Sequence, residues 1–213
     1  MIRAYDKTYL DKTQASLGRM LDFAVHDLSY GLSSFFELFL QSGVAADIEQ
    51  GDPTATVGKS GVELAYEVLE RSSISYERVK VNYPVNRSEE YWTGWALAYY
   101  QWYTAQSFSD IDKVTPIEEI RAMYTPYHEM DIRQYVARMI EMRQEVYPDT
   151  RLKTKRKLAG LSQRELSELA FVPLRTIQQY EQRQKNINKA QAEYLVQLSK
   201  TLCCEASELL EPS

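Results

Sequence analysis

Cysteine is almost absent from this chain, and the two that occur among its 213 residues, Cys203 and Cys204, are neighbours. Adjacent cysteines cannot build a disulfide framework, and they lack the two-residue spacing of zinc or redox pairs. They are expected to be small buried hydrophobes near the end of the C-terminal core. Histidine is equally scarce. His26 and His128 have no second ligand at helical spacing, and His128-Glu129 lacks the second histidine of a zinc-protease helix, so no metal is expected. The eight glycines include no glycine-rich phosphate loop after a strand, and no serine sits in a nucleophile elbow. With no catalytic residue and no cofactor motif, the chain does not read as an enzyme. No apolar run approaches the roughly 20 residues of a membrane span. MIRAYDKTYL lacks the apolar stretch of a signal peptide, so a cytoplasmic protein without membrane contact is expected.

What is present is an ordinary globular composition, 44% hydrophobic and 26% charged, in a length that suits one large or two modest domains. The charge is divided unevenly. Residues 1–150 carry 14 Lys+Arg against 23 Asp+Glu, a net of −9, and residues 151–213 carry 11 against 7, a net of +4. Over 151–185 the count is 9 against 3, or +6. An acidic chain thus hides a basic C-terminal module, the footprint expected of phosphate binding.

The patterning is mainly all-α. Residues 12–29 place Leu17, Met20, Leu21, Ala24, Val25 and Leu28 in one apolar stripe. A second helix is expected from Ser34, capped with Glu37 in a Ser-x-x-Glu box and apolar nearly all round. Gly43 ends it, Val44 to Gln50 makes a short turn closed by Gly51, and Asp52-Pro53-Thr54 is a loop. Ser60 and Glu63 open another capped helix. Val79, Val81 and Tyr83 then alternate with polar residues before Pro84, an extended segment or edge strand that would divide the N-terminal region in two. Thr115-Pro116-Ile117-Glu118 reads as a capping box opening a helix over 116–124. A last helix runs from about Glu129 to Glu145 with Ile132, Tyr135, Val136, Met139 and Ile140 on one face. Pro148-Asp149-Thr150 breaks it, so a helical N-terminal domain over 1–148 precedes a second domain over 151–211.

Residues 88–107 have an unusual composition. Trp92, Trp95, Tyr99, Trp102 and Tyr103, with Ala96, share a helical face that bears all three tryptophans. Core packing is the plain explanation, and a partner-binding face the alternative, because Tyr and Trp dominate interface hot spots. Base stacking is disfavoured, since almost no Lys or Arg lies nearby to hold phosphate.

The most informative stretch is SQRELSELAFVPLRTIQQYEQ, residues 162–182. Ser162 and Glu165 have capping-box spacing, and Leu166, Leu169 and Ala170 fall on one side of the helix that follows. Pro173 stands at the start of a second helix, in which Ile177, Tyr180 and Glu181 share a face. Arg175, Thr176, Gln178, Gln179 and Gln182 occupy the others. Such a surface suits a DNA major groove, where Arg pairs bidentately with guanine and Gln with adenine.

Residues 152–210 resemble the Xre-type, lambda-repressor-like helix-turn-helix family. The resemblance lies in Lys155-Arg156, Gly160-Leu161-Ser162-Gln163, Leu166, Ile177, Glu181, Leu195, Leu198 and Leu209-Leu210. It implies a five-helix DNA-binding fold in which Arg156 pairs with Glu181. It also implies that Gln163 and the exposed residues of 174–179 face double-stranded DNA. In that pose Arg175 and Gln179, with Gln178, are expected at bases, and Gln163, Thr176, Arg183, Lys185, Asn186 and Asn188 at phosphates. Homodimerisation on a two-fold operator would follow. The function implied is a sequence-specific transcriptional regulator, a repressor and in one version an autoregulating antitoxin with a toxin-like partner at the N-terminal domain. Residues 17–70 are similar to small bacterial domains encoded near toxin genes. The rival is an interaction protein whose helix-turn-helix fold is only a scaffold. Two residues depart from the family: Phe171 replaces the glycine of the turn, and Gln182-Arg183 replaces the glycine after the second helix. A left-handed Phe171 would cost about 1–2 kcal/mol.

Overall fold

The computed structural model describes residues 3–82 and 86–211, and among these it is all-helical with no β-strand. The chain separates into two compact units, Met1–Val146 and Tyr147–Ser213.

The first unit opens with α1 (Leu10–His26), α2 (Leu32–Gln41), α3 (Val44–Glu49), α4 (Pro53–Thr56) and α5 (Gly61–Arg71). It continues with α6 (Glu89–Thr104), α7 (Phe108–Asp112), α8 (Ile117–Ala122), α9 (Tyr124–Tyr127) and α10 (Ile132–Val146). One hydrophobic core runs through all of it, from Leu17 and Phe23 to Tyr135 and Met139. The region is therefore not divided at 74–86. Residues 74–82 form no strand, and Tyr83 and Pro84 lie outside the described residues.

α1 is the axis of this unit, with Leu17, Met20, Leu21 and Ala24 wholly buried as the stripe requires. Two helices cross it at backbone distance. A Cβ on Gly94 of α6 would stand 2.5 Å from the carbonyl oxygen of Leu17 and 2.9 Å from Gly18 Cα. A Cβ on Gly18 would meet the Tyr91 carbonyl at 2.7 Å. At the start of α5, a Cβ on Gly61 would lie 2.4 Å from the Ser16 carbonyl oxygen. Only residues without side chains permit such contacts, and they let the tryptophan helix sink into the interior. Trp92, Ala96, Tyr100 and Trp102 are buried in consequence, and Trp102 Nε1 donates to the Tyr5 carbonyl at 2.9 Å. Ser88 caps α6 by accepting from Tyr91 N at 3.0 Å while its hydroxyl donates to Asp22 of α1 at 2.6 Å. Glu90, buried in the first turn, meets His26 Nε2 at 2.8 Å and Arg121 at 3.3 Å.

Several helix starts differ from expectation. The Ser60–Glu63 box forms, but Ser34 does not cap α2. That helix begins at Leu32 because Gly31 supplies the extended N-cap and Leu32 is buried in the first turn. Thr115 makes no box with Glu118; Asp112 Oδ1 accepts from Ile117 N at 2.9 Å instead. Asp52 to Thr54 is no loop, since the Asp52 carboxylate caps α4 by accepting from Thr54 N at 2.7 Å. α10 starts at Ile132, after Asp131 has accepted a bond from Arg133 N.

The second unit comprises α11 (Arg151–Leu158), α12 (Gln163–Ala170), α13 (Leu174–Glu181) and α14 (Ala192–Thr201), with 3-10 turns at Ile187–Lys189 and Ala206–Leu209. The expected fifth helix is thus a single 3-10 turn, too short for an α-helical hydrogen-bond ladder, although it still delivers Leu209 to the core. That core gathers Leu152, Leu166, Ala170, Val172, Ile177, Tyr180 and Leu198. Cys203 is exposed in a left-handed turn (φ 50°), against expectation, whereas Cys204 is half-buried and packs against this core. Leu169 is also exposed. On an eight-residue helix the buried arc runs through Leu166 and Ala170, one turn apart, and Leu169 falls at its far edge.

All three tryptophans lie in the first unit, so their fluorescence reports its unfolding. Gly94→Val is expected to lower its stability by about 1–3 kcal/mol, because the new branches meet α1 backbone and cannot be relieved by a rotamer change. Urea denaturation followed at the tryptophans checks this, with Thr104→Val near the end of the same helix as the control.

Candidate nucleic-acid interface

Ser162 opens α12 with a complete capping box, accepting from Glu165 N at 3.2 Å while the Glu165 carboxylate accepts from Ser162 N at 2.7 Å. The Ser162 hydroxyl and backbone N–H hold the Glu165 carboxyl below the usual carboxylate range. α12 ends at Phe171, whose backbone is left-handed (φ 52°, ψ 33°) and whose ring is 83% exposed. The turn therefore takes the left-handed backbone that favours glycine, and the strain falls on Phe171. The Ser167 hydroxyl donates to the Val172 carbonyl at 2.7 Å and braces the turn from the other side. The second departure has a parallel outcome. Gln182 ends α13 and Arg183 takes the left-handed position (φ 58°).

Beneath α13 lies a polar network. Arg156 Nε and Nη2 donate to the two oxygens of Glu181 at 2.6 and 2.8 Å, a bidentate pair. The side chains are 11% and 1% exposed. Arg156 Nη1 also donates to the Leu161 carbonyl at 2.7 Å, and Gln163 Nε2 donates to Glu181 at 2.7 Å. One carboxylate thus ties α11, the turn before α12, α12 itself and α13. The carboxylate raises the Arg156 guanidinium above its ordinary value despite the opposing effect of burial.

The residues expected at DNA fall into two groups. Arg175, Thr176, Gln178 and Gln179 all lie on the non-core faces of α13. Arg175 is exposed and the other three are half-buried. Lys185 is likewise exposed. The remainder are engaged within the unit. Gln163 closes the Glu181 network. Arg183 donates to the Pro148 carbonyl at 3.0 Å and reaches Glu211 at 3.4 Å. Asn186 caps the following 3-10 turn by accepting from Asn188 N. Asn188 bonds both backbone groups of Glu211 at 2.8 Å. Sequence reasoning missed Glu211 altogether. Its carboxylate also accepts from Arg151 N at 2.8 Å, so it fastens the start of α11 to the loop after α13. No local pattern signals a contact across 60 residues.

The basic run of α11 is largely neutralised at home. Asp149 pairs with Lys153 at 2.6 Å and Lys157 at 2.7 Å, and Glu208 pairs with Lys155. Partial burial would raise the Asp149 carboxyl, but the two lysines outweigh it and the group lies below its usual range. Over 147–213 the balance is 11 Lys+Arg against 8 Asp+Glu, or +3. Among the described residues no ion pair holds Arg175 on α13 or Lys185 after it, and on α11 only Arg151 is left without one.

In the first unit, Trp92 and Trp102 are buried, whereas Trp95, Tyr99 and Tyr103 form a half-buried edge. Tyr99 and Tyr103 stack at 6.3 Å, and the Arg3 guanidinium lies 3.8 Å above the Tyr103 ring. The aromatic helix is mostly core, with one partly exposed margin. No helix among the described residues is long and apolar enough to cross a membrane. No protein-family model matches the chain, and no curated protein or solved structure matches it.

Two substitutions separate the network from the turn. Arg156→Ala leaves a buried carboxylate without its cation and is expected to destabilise the second unit by about 3–5 kcal/mol. Phe171→Gly removes the left-handed penalty, partly offset by greater freedom of the unfolded chain, and should stabilise it by about 0.5–1 kcal/mol. Amide hydrogen exchange in α11 to α13 measures both, because this unit has no tryptophan.

Proposed function

We propose that residues 147–211 are a DNA-binding module of the Xre-type helix-turn-helix kind, and that the chain is a sequence-specific transcriptional regulator acting as a repressor. The observation that carries this reading is the buried Arg156–Glu181 pair, completed by Gln163, beneath a helix with Arg, Thr and Gln on its outer faces. A bidentate ion pair holds α13 in orientation without using its exposed side chains. Arg175 lies in the first turn of that helix and Gln179 one turn later, the arrangement that base-edge recognition from a helix N-terminus requires.

In this reading Arg175 and Gln179 contact bases, with Gln178 beside them, and Thr176, Lys185 and Asn186 contact phosphates. Phosphate roles for Gln163, Arg183 and Asn188 require these side chains to share or exchange the bonds they make within the unit. One such module spans few base pairs, so the chain binds as a homodimer on a two-fold site. The first unit supplies the dimer contact or receives a partner. A toxin-like protein at that unit, giving an autoregulating antitoxin, is supported by its acidic charge of −8 over residues 1–146, which a basic partner would complement.

Two variants test the assignment of roles on a selected operator and on random duplexes. Arg175→Ala should weaken operator binding by about 1–3 kcal/mol and relax preference at one base position. Lys185→Ala should weaken binding to both duplexes alike and reduce the logarithmic salt slope by about one. Equal losses on both duplexes for both variants would refute the base assignment.

A further inference from the structure

A pocket of about 290 Å³ opens on the first unit, and none of its lining residues is among those assigned to DNA. Its walls are aromatic: Tyr91, Trp92 and Trp95 from α6, and Tyr124 and Tyr127 from the short α9. Trp92 meets Tyr124 edge-on, with centroids 5.7 Å apart and planes at 81°. Tyr124 is held in turn by the His128 ring, stacked at 4.0 Å with planes 12° apart, and His128 Nδ1 lies 2.9 Å from the Tyr124 carbonyl oxygen. Tyr127 packs edge-on against the buried Tyr135. Three of the five aromatic walls, Trp92, Tyr124 and Tyr127, are buttressed by other rings and present a shaped surface.

The charge of the lining is one-sided. Arg87 is part of the lining, with its guanidinium 4.6 Å above the Tyr91 ring, and among the described residues no carboxylate lines the pocket. Glu129, next to His128 in the chain, lies 3.6 Å from that ring and is 80% exposed. A cationic guest would find aromatic faces but also a fixed arginine and no counter-charge. An anion carried on a flat ring would find stacking surface for the ring and a guanidinium for the charge. Size narrows the choice further. The volume is at the low end of small-molecule sites, roughly 300–1,000 Å³, which admits one or two fused rings and excludes a dinucleotide.

We infer that this pocket is a ligand site for a planar aromatic carboxylate of one or two fused rings, with Arg87 holding the carboxylate and the tryptophan and tyrosine walls holding the ring. The assignment is independent of the DNA-binding reading and gives the first unit a small-molecule role of its own. Its walls come from α6 and α9, with Ile132 from α10, so occupancy bridges these helices.

The test uses the full-length protein and titrates indole-3-acetate, indole-3-acetamide and acetate, read by calorimetry and by tryptophan fluorescence, since Trp92 and Trp95 line the pocket. Indole-3-acetate should bind saturably, and about tenfold or more tighter than the amide, because a charge-assisted bond to arginine is lost in the amide. Acetate alone should not bind. Arg87→Gln, at an exposed position, should fold normally by circular dichroism and abolish the preference for acid over amide. Trp95→Ala should weaken acid and amide together. Absence of indole-3-acetate binding at millimolar concentration would overturn the inference. So would equal affinity for acid and amide, or an acid preference that survives Arg87→Gln.

Discussion

The second unit depends on one carboxylate. Glu181 accepts from Arg156 and from Gln163, and through them it fixes the relative placement of α11, α12 and α13. A charge with a side chain 1% exposed is tolerable only when its partners remain in place. That requirement removes freedom from the three helices together. Hydrophobic contacts such as Leu166 with Ile177 supply cohesion, but they are non-directional and would tolerate a rotated α13. The bidentate geometry would not. The outer faces of α13 are consequently free of structural duty, which is the condition for using them to read a ligand.

The first unit solves the corresponding problem with absences. α6 carries more aromatic bulk than a surface helix can expose, and it reaches the interior because Gly94 and Gly18 let it approach α1 at backbone distance. Its other side then meets the rings of the helices that follow. The same burial that makes Trp92 a core residue leaves one margin of the helix, with Tyr91 and Trp95, facing the pocket beside Arg87. Packing and the proposed ligand surface are thus two faces of one helix.

Local chemistry was legible wherever its partners were close in sequence. The Ser60–Glu63 and Ser162–Glu165 boxes need only three residues of separation, and both form. The same spacing misled at Ser34 and Thr115. There a better N-cap conformation at Gly31 and a half-buried carboxylate at Asp112 took the role, and neither competitor is visible in a four-residue motif. The left-handed turn at Phe171 was readable as a position, and the Arg156–Glu181 pair as a resemblance. The closure of that network by Gln163 and the tether through Glu211 were not, since they join residues 18 and 60 apart. Charge counting located the basic module but not which of its charges stay unpaired, because Asp149 and Glu208 neutralise three lysines of α11 while, among the described residues, no ion pair holds Arg175 or Lys185. The aromatic pocket was hidden for a related reason. Tyr124 and Tyr127 come from a segment without helical periodicity of its own.

Presentation of α13 to a specific duplex is the proposal on which the role of the second unit rests. Recovery of genomic fragments by the full-length protein at near-physiological salt, read by sequencing, tests it most directly. The account predicts enrichment of a two-fold symmetric sequence near the promoter of the gene that encodes the chain. Uniform recovery of all fragments, or recovery of none, would contradict it and place the function in the first unit.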